Sequence, residues 1–305
     1  MITTVIDQCL ILLIFLVIGF LCSRKNWIHK KHMSSLSNLL TNIVLPAAIL
    51  TSFNVNIAAY NLNFFITIIC ISLFLVAFPF LLSKLLVSFT HMELALKKVW
   101  IGCSTYSNIL FIGIPIIGTL YDEKGLFILV IYNTISNLFL FTLGIRLYKN
   151  DVNFKSMGPS LLSPALLASF LGILLLILNV SLPKTLTTAL DELGSMTAPL
   201  SMIITGALFG LINIKKFMVS KNIYIFCFVR LIMIPGLVFV ILNTFMTDKV
   251  ILGVMVLSAG MPAGATNTSL ATIYSDKGPE TSQYVVMSSI LCIITLPILM
   301  YVLSL

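Results

Sequence analysis

Two short stretches carry the residues best suited to hold a ligand. Ser107-Asn108-Ile109-Leu110-Phe111-Ile112-Gly113-Ile114-Pro115 lies in the first half of the chain. Ala259-Gly260-Met261-Pro262-Ala263-Gly264-Ala265-Thr266-Asn267 lies in the second. Each sets Gly, Pro and Asn inside an apolar run. Proline lacks the backbone N–H and clashes with the preceding turn, so both runs are expected to be broken helices, interrupted at Pro115 and Pro262. Backbone groups freed in hydrocarbon are tolerated only inside protein or beside a watery cavity. A matched pair of interruptions, one per half, is the sequence mark of a secondary transporter's substrate site. Half-helix N-termini there would attract a carboxylate, and half-helix C-termini with unwound carbonyls would hold a cation. Asn108 and Asn267 both donate and accept. Gly113, Gly260 and Gly264 are expected to supply unusual dihedrals and close approach of ligand to backbone. The plain alternative is a pair of structural kinks satisfied by neighbouring helices.

Arg230 is the only strongly charged residue well inside an apolar run. A charge there is costly and points to function. Two roles stay open. It pairs with an anionic substrate, or its long stem carries the charge to the cytoplasmic interface near Lys221. Asn42-Ile-Val-Leu-Pro46 and Ser195-Met-Thr197-Ala-Pro199 are expected to bend two more helices into a scaffold wall beside the site.

Other chemistry is poorly provided for. No span carries an Asp or Glu near its middle, which argues against a carboxylate proton relay; Asp7, Asp191 and Glu192 fall near span ends. The chain has no P-loop, HExxH or Gly-x-Ser-x-Gly, so it does not read as an ATPase or an enzyme. The six cysteines sit in or beside apolar runs without a CxxC pair and read as small buried residues, with no metal set.

The elements that must position these residues follow from composition. The 305 residues are 59% hydrophobic and 9% charged, against roughly 25% charged in soluble domains. Apolar runs near 4–22, 34–53, 62–83, 98–120, 125–146, 161–180, 190–212, 222–246, 250–273 and 281–304 suggest an all-α integral membrane protein of ten spans. Fourteen of the 18 Lys and Arg residues fall in the connections after odd-numbered spans, whereas Lys124, Lys184 and Lys249 fall on the other side. The positive-inside rule then puts both termini outside. The net charge of +8 reads as topology and contact with anionic lipid, not nucleic-acid binding.

Prolines repeat in order. Pro46, Pro79 and Pro115 are followed by Pro199, Pro235 and Pro262, at an offset of roughly half the chain. Five spans per copy is odd, so the second copy would be inverted. The expected division is 1–150 and 151–305, one five-helix repeat each. Helices four and nine would cross at their breaks.

At this point the chain resembles a family. Asn108-Ile-Leu-Phe-Ile-Gly-Ile-Pro115, Met261-Pro-Ala-Gly-Ala-Thr-Asn267 and the Asn42-xxx-Pro46 bend are similar to motifs of auxin efflux carriers, and the short central loop is similar to bacterial malate-permease-like members. The resemblance implies the fold of bile-acid symporters and sodium/proton antiporters. Scaffold helices one, two, six and seven would hold transport helices three to five and eight to ten. It also implies carboxylate substrates and, often, a homodimer, with Asn108, Pro115, Pro262 and Asn267 carried over as site residues. The reading is therefore a secondary transporter of small organic anions such as malate or malonate. It would sit in the cytoplasmic membrane of a bacterium, with no cofactor beyond a coupling ion, H+ or Na+. The alternatives are a sodium-coupled symporter of bile-acid type and a membrane sensor that binds a carboxylate without moving it.

Overall fold

The computed structural model describes residues 2–52, 62–149, 163–178, 180, 182–212 and 220–304. The seam expected around 149–159 falls largely outside them. In chain order the helices are α1 (Ile2–Arg24), α2 (Lys30–Ser52), α3 (Leu62–Ser88), α4 (Leu94–Thr105), α5 (109–121), α6 (123–148), α7 (Pro164–Ile177), α8 (Lys184–Gly210), α9 (Lys221–Phe245), α10 (Lys249–Gly260), α11 (Thr266–Ser275) and α12 (Gly278–Ser304). Among the described residues six helices are long and apolar enough to cross a membrane: Lys30–Ser52, Asn63–Ser88, Ile116–Tyr148, Lys184–Gly210, Lys221–Phe245 and Gly278–Leu303. Asp122, at φ 51°, turns the third of these sharply near its start, separating α5 from α6. Shorter apolar helices run Cys9–Arg24, Pro164–Leu175 and Lys249–Gly260. Leucines, isoleucines and phenylalanines stand exposed along α1, α3, α7 and α12, among them Ile14, Leu81, Phe170 and Ile294. Such faces suit lipid contact.

Three bends have one physical cause. Turns of π type at Leu40–Val44, Ile109–Gly113 and Val229–Met233 each end two residues before a proline, at Pro46, Pro115 and Pro235. A proline ring crowds the carbonyl four residues earlier, and widening the turn relieves this. In α8 the expected bend falls at Met196, between Lys184–Ser195 and Thr197–Gly210. That helix starts six residues earlier than its apolar run, because its first turns are polar.

Packing is tightest where glycines let backbones meet. On α1 and α8, Gly19 lies against the Ile203 backbone and Gly206 against the Leu16 carbonyl. Gly194 of α8 lies against Ala48 of α2, so the bends of those two helices adjoin. Cys9 of α1 and Cys292 of α12 bring their Sγ atoms to 3.5 Å.

One expectation is corrected here. No described glycine has a positive φ, and Gly113 is helical at φ −69°, ψ −47°. The glycines of the two broken runs serve close approach alone. A Cβ on Gly264 would lie 3.0 Å from the Ser107 carbonyl oxygen; on Gly260 it would meet the tip of Leu299.

Candidate functional site

The two interruptions meet. α4 ends at Thr105 and the chain resumes as helix at Ile109, while α10 ends at Gly260 and resumes at Thr266. Between them Ser107 and Ala263 form an antiparallel β-bridge. The Asn108 N–H donates to the Pro262 carbonyl at 2.9 Å, and the Gly264 N–H donates to the Tyr106 carbonyl at 2.9 Å. Each gap thus supplies the backbone partners that the other lacks. Pro262 lies within its gap. Pro115 does not: it follows the first gap, near the start of the α-helical part of the resumed helix. The first interruption is at Tyr106–Asn108, because bridging rather than proline geometry fixes it.

The two asparagines are used differently. Asn267 is fully buried. Its Nδ2 donates to the carbonyls of Tyr106 at 3.0 Å and Gly264 at 2.9 Å, and its Oδ1 accepts from the Tyr148 hydroxyl at 2.9 Å. It clamps the crossing. Asn108 is 3% exposed, and its Nδ2 has no partner.

Asn108 borders a cavity of about 30 Å³, room for about two waters. Its walls include Leu45 of α2, Ser107 and Asn108 of the first gap, Asn133, Ser136, Asn137 and Leu140 of α6, and Gly264, Thr266 and Asn267 of the second gap. The N-terminal ends of α5 and α11 border it. Asn133, Ser136, Asn137 and Leu140 share one face of α6 by helical spacing. The Nδ2 atoms of Asn133 and Asn137 are also buried and unpartnered. Sequence reasoning missed both, although a pair of amides four apart in the run 125–146 was legible. It missed Tyr106 and Tyr148 too. The Tyr106 hydroxyl donates to Phe139 O at 3.1 Å and so ties α6 to the crossing.

Arg230 lies in the widened turn of α9 and is 1% exposed, so its charge does not reach the interface and the snorkelling alternative fails. Its Nη1 donates to the Ser104 carbonyl in the last turn of α4 at 3.0 Å. Its Nε and Nη2 have no partner. Cys103 and Tyr132 adjoin it, and Tyr132 is hydrogen-bonded to Ser107. Arg230 is not among the cavity's walls.

Of the other expected residues, Gly113 packs against Met261 and Leu129. Asn42 is exposed, and Thr197 is buried with its hydroxyl donating to Gly194 O at 2.6 Å. Neither they, Pro46, Pro199, Gly113, Gly260 nor Pro262 line the cavity.

Around the crossing the halves exchange ion pairs. Asp248 caps α10, accepting from the N–H groups of Val250 and Ile251, and meets Lys124 at 2.7 Å. Glu93 precedes α4 and lies 3.9 Å from Lys277. Asp122 and Asp276, the residues that end α5 and α11, both have a positive φ but differ in ψ, at −151° and 14°. The matching segments read Tyr121-Asp-Glu-Lys-Gly125 and Tyr274-Ser-Asp-Lys-Gly278.

A family model described as membrane transport protein matches residues 4–300. No curated protein matches the chain.

Proposed function

Because the chain belongs to the membrane transport protein family, which is a transporter rather than an enzyme family and takes in the auxin efflux carriers its motifs resemble, we propose that this multi-pass membrane protein is a secondary transporter of small organic anions. The observation that carries the reading is the cavity at the crossing. Three buried amide nitrogens, on Asn108, Asn133 and Asn137, are unpartnered there. Buried donors without acceptors are costly, at about 1–3 kcal/mol each. A carboxylate offers several acceptor positions to such donors. The half-helix N-termini of α5 and α11 add partial positive charge at the same place.

The swapped ion pairs and the repeated Tyr-x-x-Lys-Gly support two inverted five-span halves, 1–150 and 151–305, crossing at α4–α5 and α10–α11. On that division α1, α2, α7 and α8 form the scaffold, and Leu45 presents it to the cavity. A space for about two waters is too small for a dicarboxylate, so substrate entry requires the transport helices to move against α2. This is alternating access. The excess of Lys and Arg in the connections after odd-numbered spans favours both termini outside a bacterial cytoplasmic membrane, as a homodimer or a monomer.

Proteoliposome counterflow tests the reading. Purified protein preloaded with unlabelled malate or malonate should accumulate labelled substrate, and Asn108→Ala should lose that activity. Binding of carboxylates without counterflow would make the protein a sensor. Uptake strictly dependent on sodium would make it a symporter of bile-acid type.

A further inference from the structure

Arg230 is the only charged side chain among the buried residues described, and no described carboxylate lies within salt-bridge distance of it. An unpaired guanidinium in a protein interior inside a membrane is expensive. Cys103 and Tyr132 adjoin it, and its one described hydrogen bond goes to backbone. Its Nη1 donates to Ser104 O, one of the last four carbonyls of α4, which have no partner within their own helix. The same stretch of α9 packs along α10, and Pro235 lies against Gly260, the last residue of α10. Arg230 therefore sits where two helices end with their carbonyls toward the crossing. Each such end carries about half a negative charge. Two of them together match one guanidinium.

We infer that Arg230 is the resident counter-cation of the crossing. It holds the carbonyl ends of α4 and α10, the half of the crossing that would otherwise take a mobile cation, and leaves the N-terminal ends of α5 and α11 to the substrate. Half-helix C-termini and unwound carbonyls are where coupled alkali ions bind in broken-helix transporters. Here a tethered charge fills that role. Nε and Nη2 make no hydrogen bond, so Arg230 acts on the α10 end through its charge and not through a bond. Ser107 is the neutral counterpart at that end, its hydroxyl donating to the Ser258 carbonyl of α10 at 3.3 Å. Arg230 is a positioning residue: it acts through the helix ends and not by touching the substrate.

Thermal unfolding of the purified protein in sodium, lithium, potassium and choline chloride at equal ionic strength tests this without any substrate. The wild type and Arg230→Lys should melt at the same temperature in all four salts. Arg230→Met should melt lower in choline and regain stability in sodium or lithium. Three results overturn the inference: a sodium-specific gain in the wild type, an Arg230→Met protein as stable as wild type in choline, or a loss that no small cation restores. The last would reduce Arg230 to its hydrogen bond with Ser104. If Arg230→Met does not fold, the wild-type and Arg230→Lys series still decide. A second arm rests on the anion-site reading and uses malate as the probe. Arg230→Met should bind it at least tenfold more weakly than Arg230→Lys in choline. If malate binds none of the proteins, the anion site fails while the stability arm stands.

Discussion

The two gaps at the crossing look equivalent in sequence and are not equivalent in structure. Both present one residue to an antiparallel bridge, and both carry an asparagine. At the second gap the amide is saturated by Tyr106, Gly264 and Tyr148. At the first the amide nitrogen is unpartnered beside a cavity. One gap fastens the crossing through its asparagine side chain, and the other leaves its asparagine nitrogen facing the cavity.

The largest test of that asymmetry is Asn267→Ala. It removes three side-chain hydrogen bonds, while the Tyr106 and Gly264 carbonyls each keep one backbone donor. At about 1 kcal/mol per bond the loss is about 3 kcal/mol, visible as a melting temperature several degrees lower. Melting unchanged from wild type would make the two asparagines equivalent after all. Asn108→Ala should show the converse: near-native melting, with carboxylate affinity reduced on the order of tenfold. A large stability loss there would make Asn108 a second fastener.

The glycines sharpen the same contrast. A Cβ on Gly264 would press on the Ser107 and Tyr106 backbone, which cannot move without breaking the bridge; on Gly113 it would meet only the ends of Met261 and Leu129. Gly264→Ala should cost about 1–3 kcal/mol and Gly113→Ala less, by thermal unfolding. Equal costs would mean that the bridge yields easily.

The smallest effect concerns the flanking ion pairs. Burial raises the Asp248 carboxyl, but the Lys124 ammonium and the α10 amides outweigh it and hold its pKa below the ordinary 3.8. A depressed carboxylate pKa stabilises the fold above the unfolded value, and that stabilisation is lost as pH falls through the folded one. Asp248→Asn should therefore melt slightly lower than wild type at neutral pH, with the gap closing below about pH 4. Glu93→Gln, whose pair with Lys277 is longer and more exposed, should change less. Variants that melt at the wild-type temperature at neutral pH and low salt would remove the ion pairs from the account.

Much of the frame was legible in the chain. Gly, Pro and Asn inside apolar runs marked both gaps, and prolines marked the bends of α2 and α8. Proline misled only at Pro115, where the widened turn at Ile109–Gly113 absorbs it within a helix. Asn133 and Asn137 were overlooked because a reading of average hydropathy absorbs two amides into an apolar run. What no local pattern could give is the employment of Asn267 and Arg230. Their partners Tyr148, Tyr106 and Ser104 stand more than a hundred residues away, so only the folded chain decides which amide is spent.

The bridge between Ser107 and Ala263 also sets a timetable. Its two strands are synthesised about 155 residues apart, on the order of ten seconds or more at ordinary ribosomal speed. For that interval the Asn108 N–H and the Tyr106 carbonyl are without the partners that the second gap supplies. Pulse-labelled chains truncated before Met261 should be degraded faster than chains extended past Asn267; equal lifetimes would show that the first half shelters its own gap until its partner arrives.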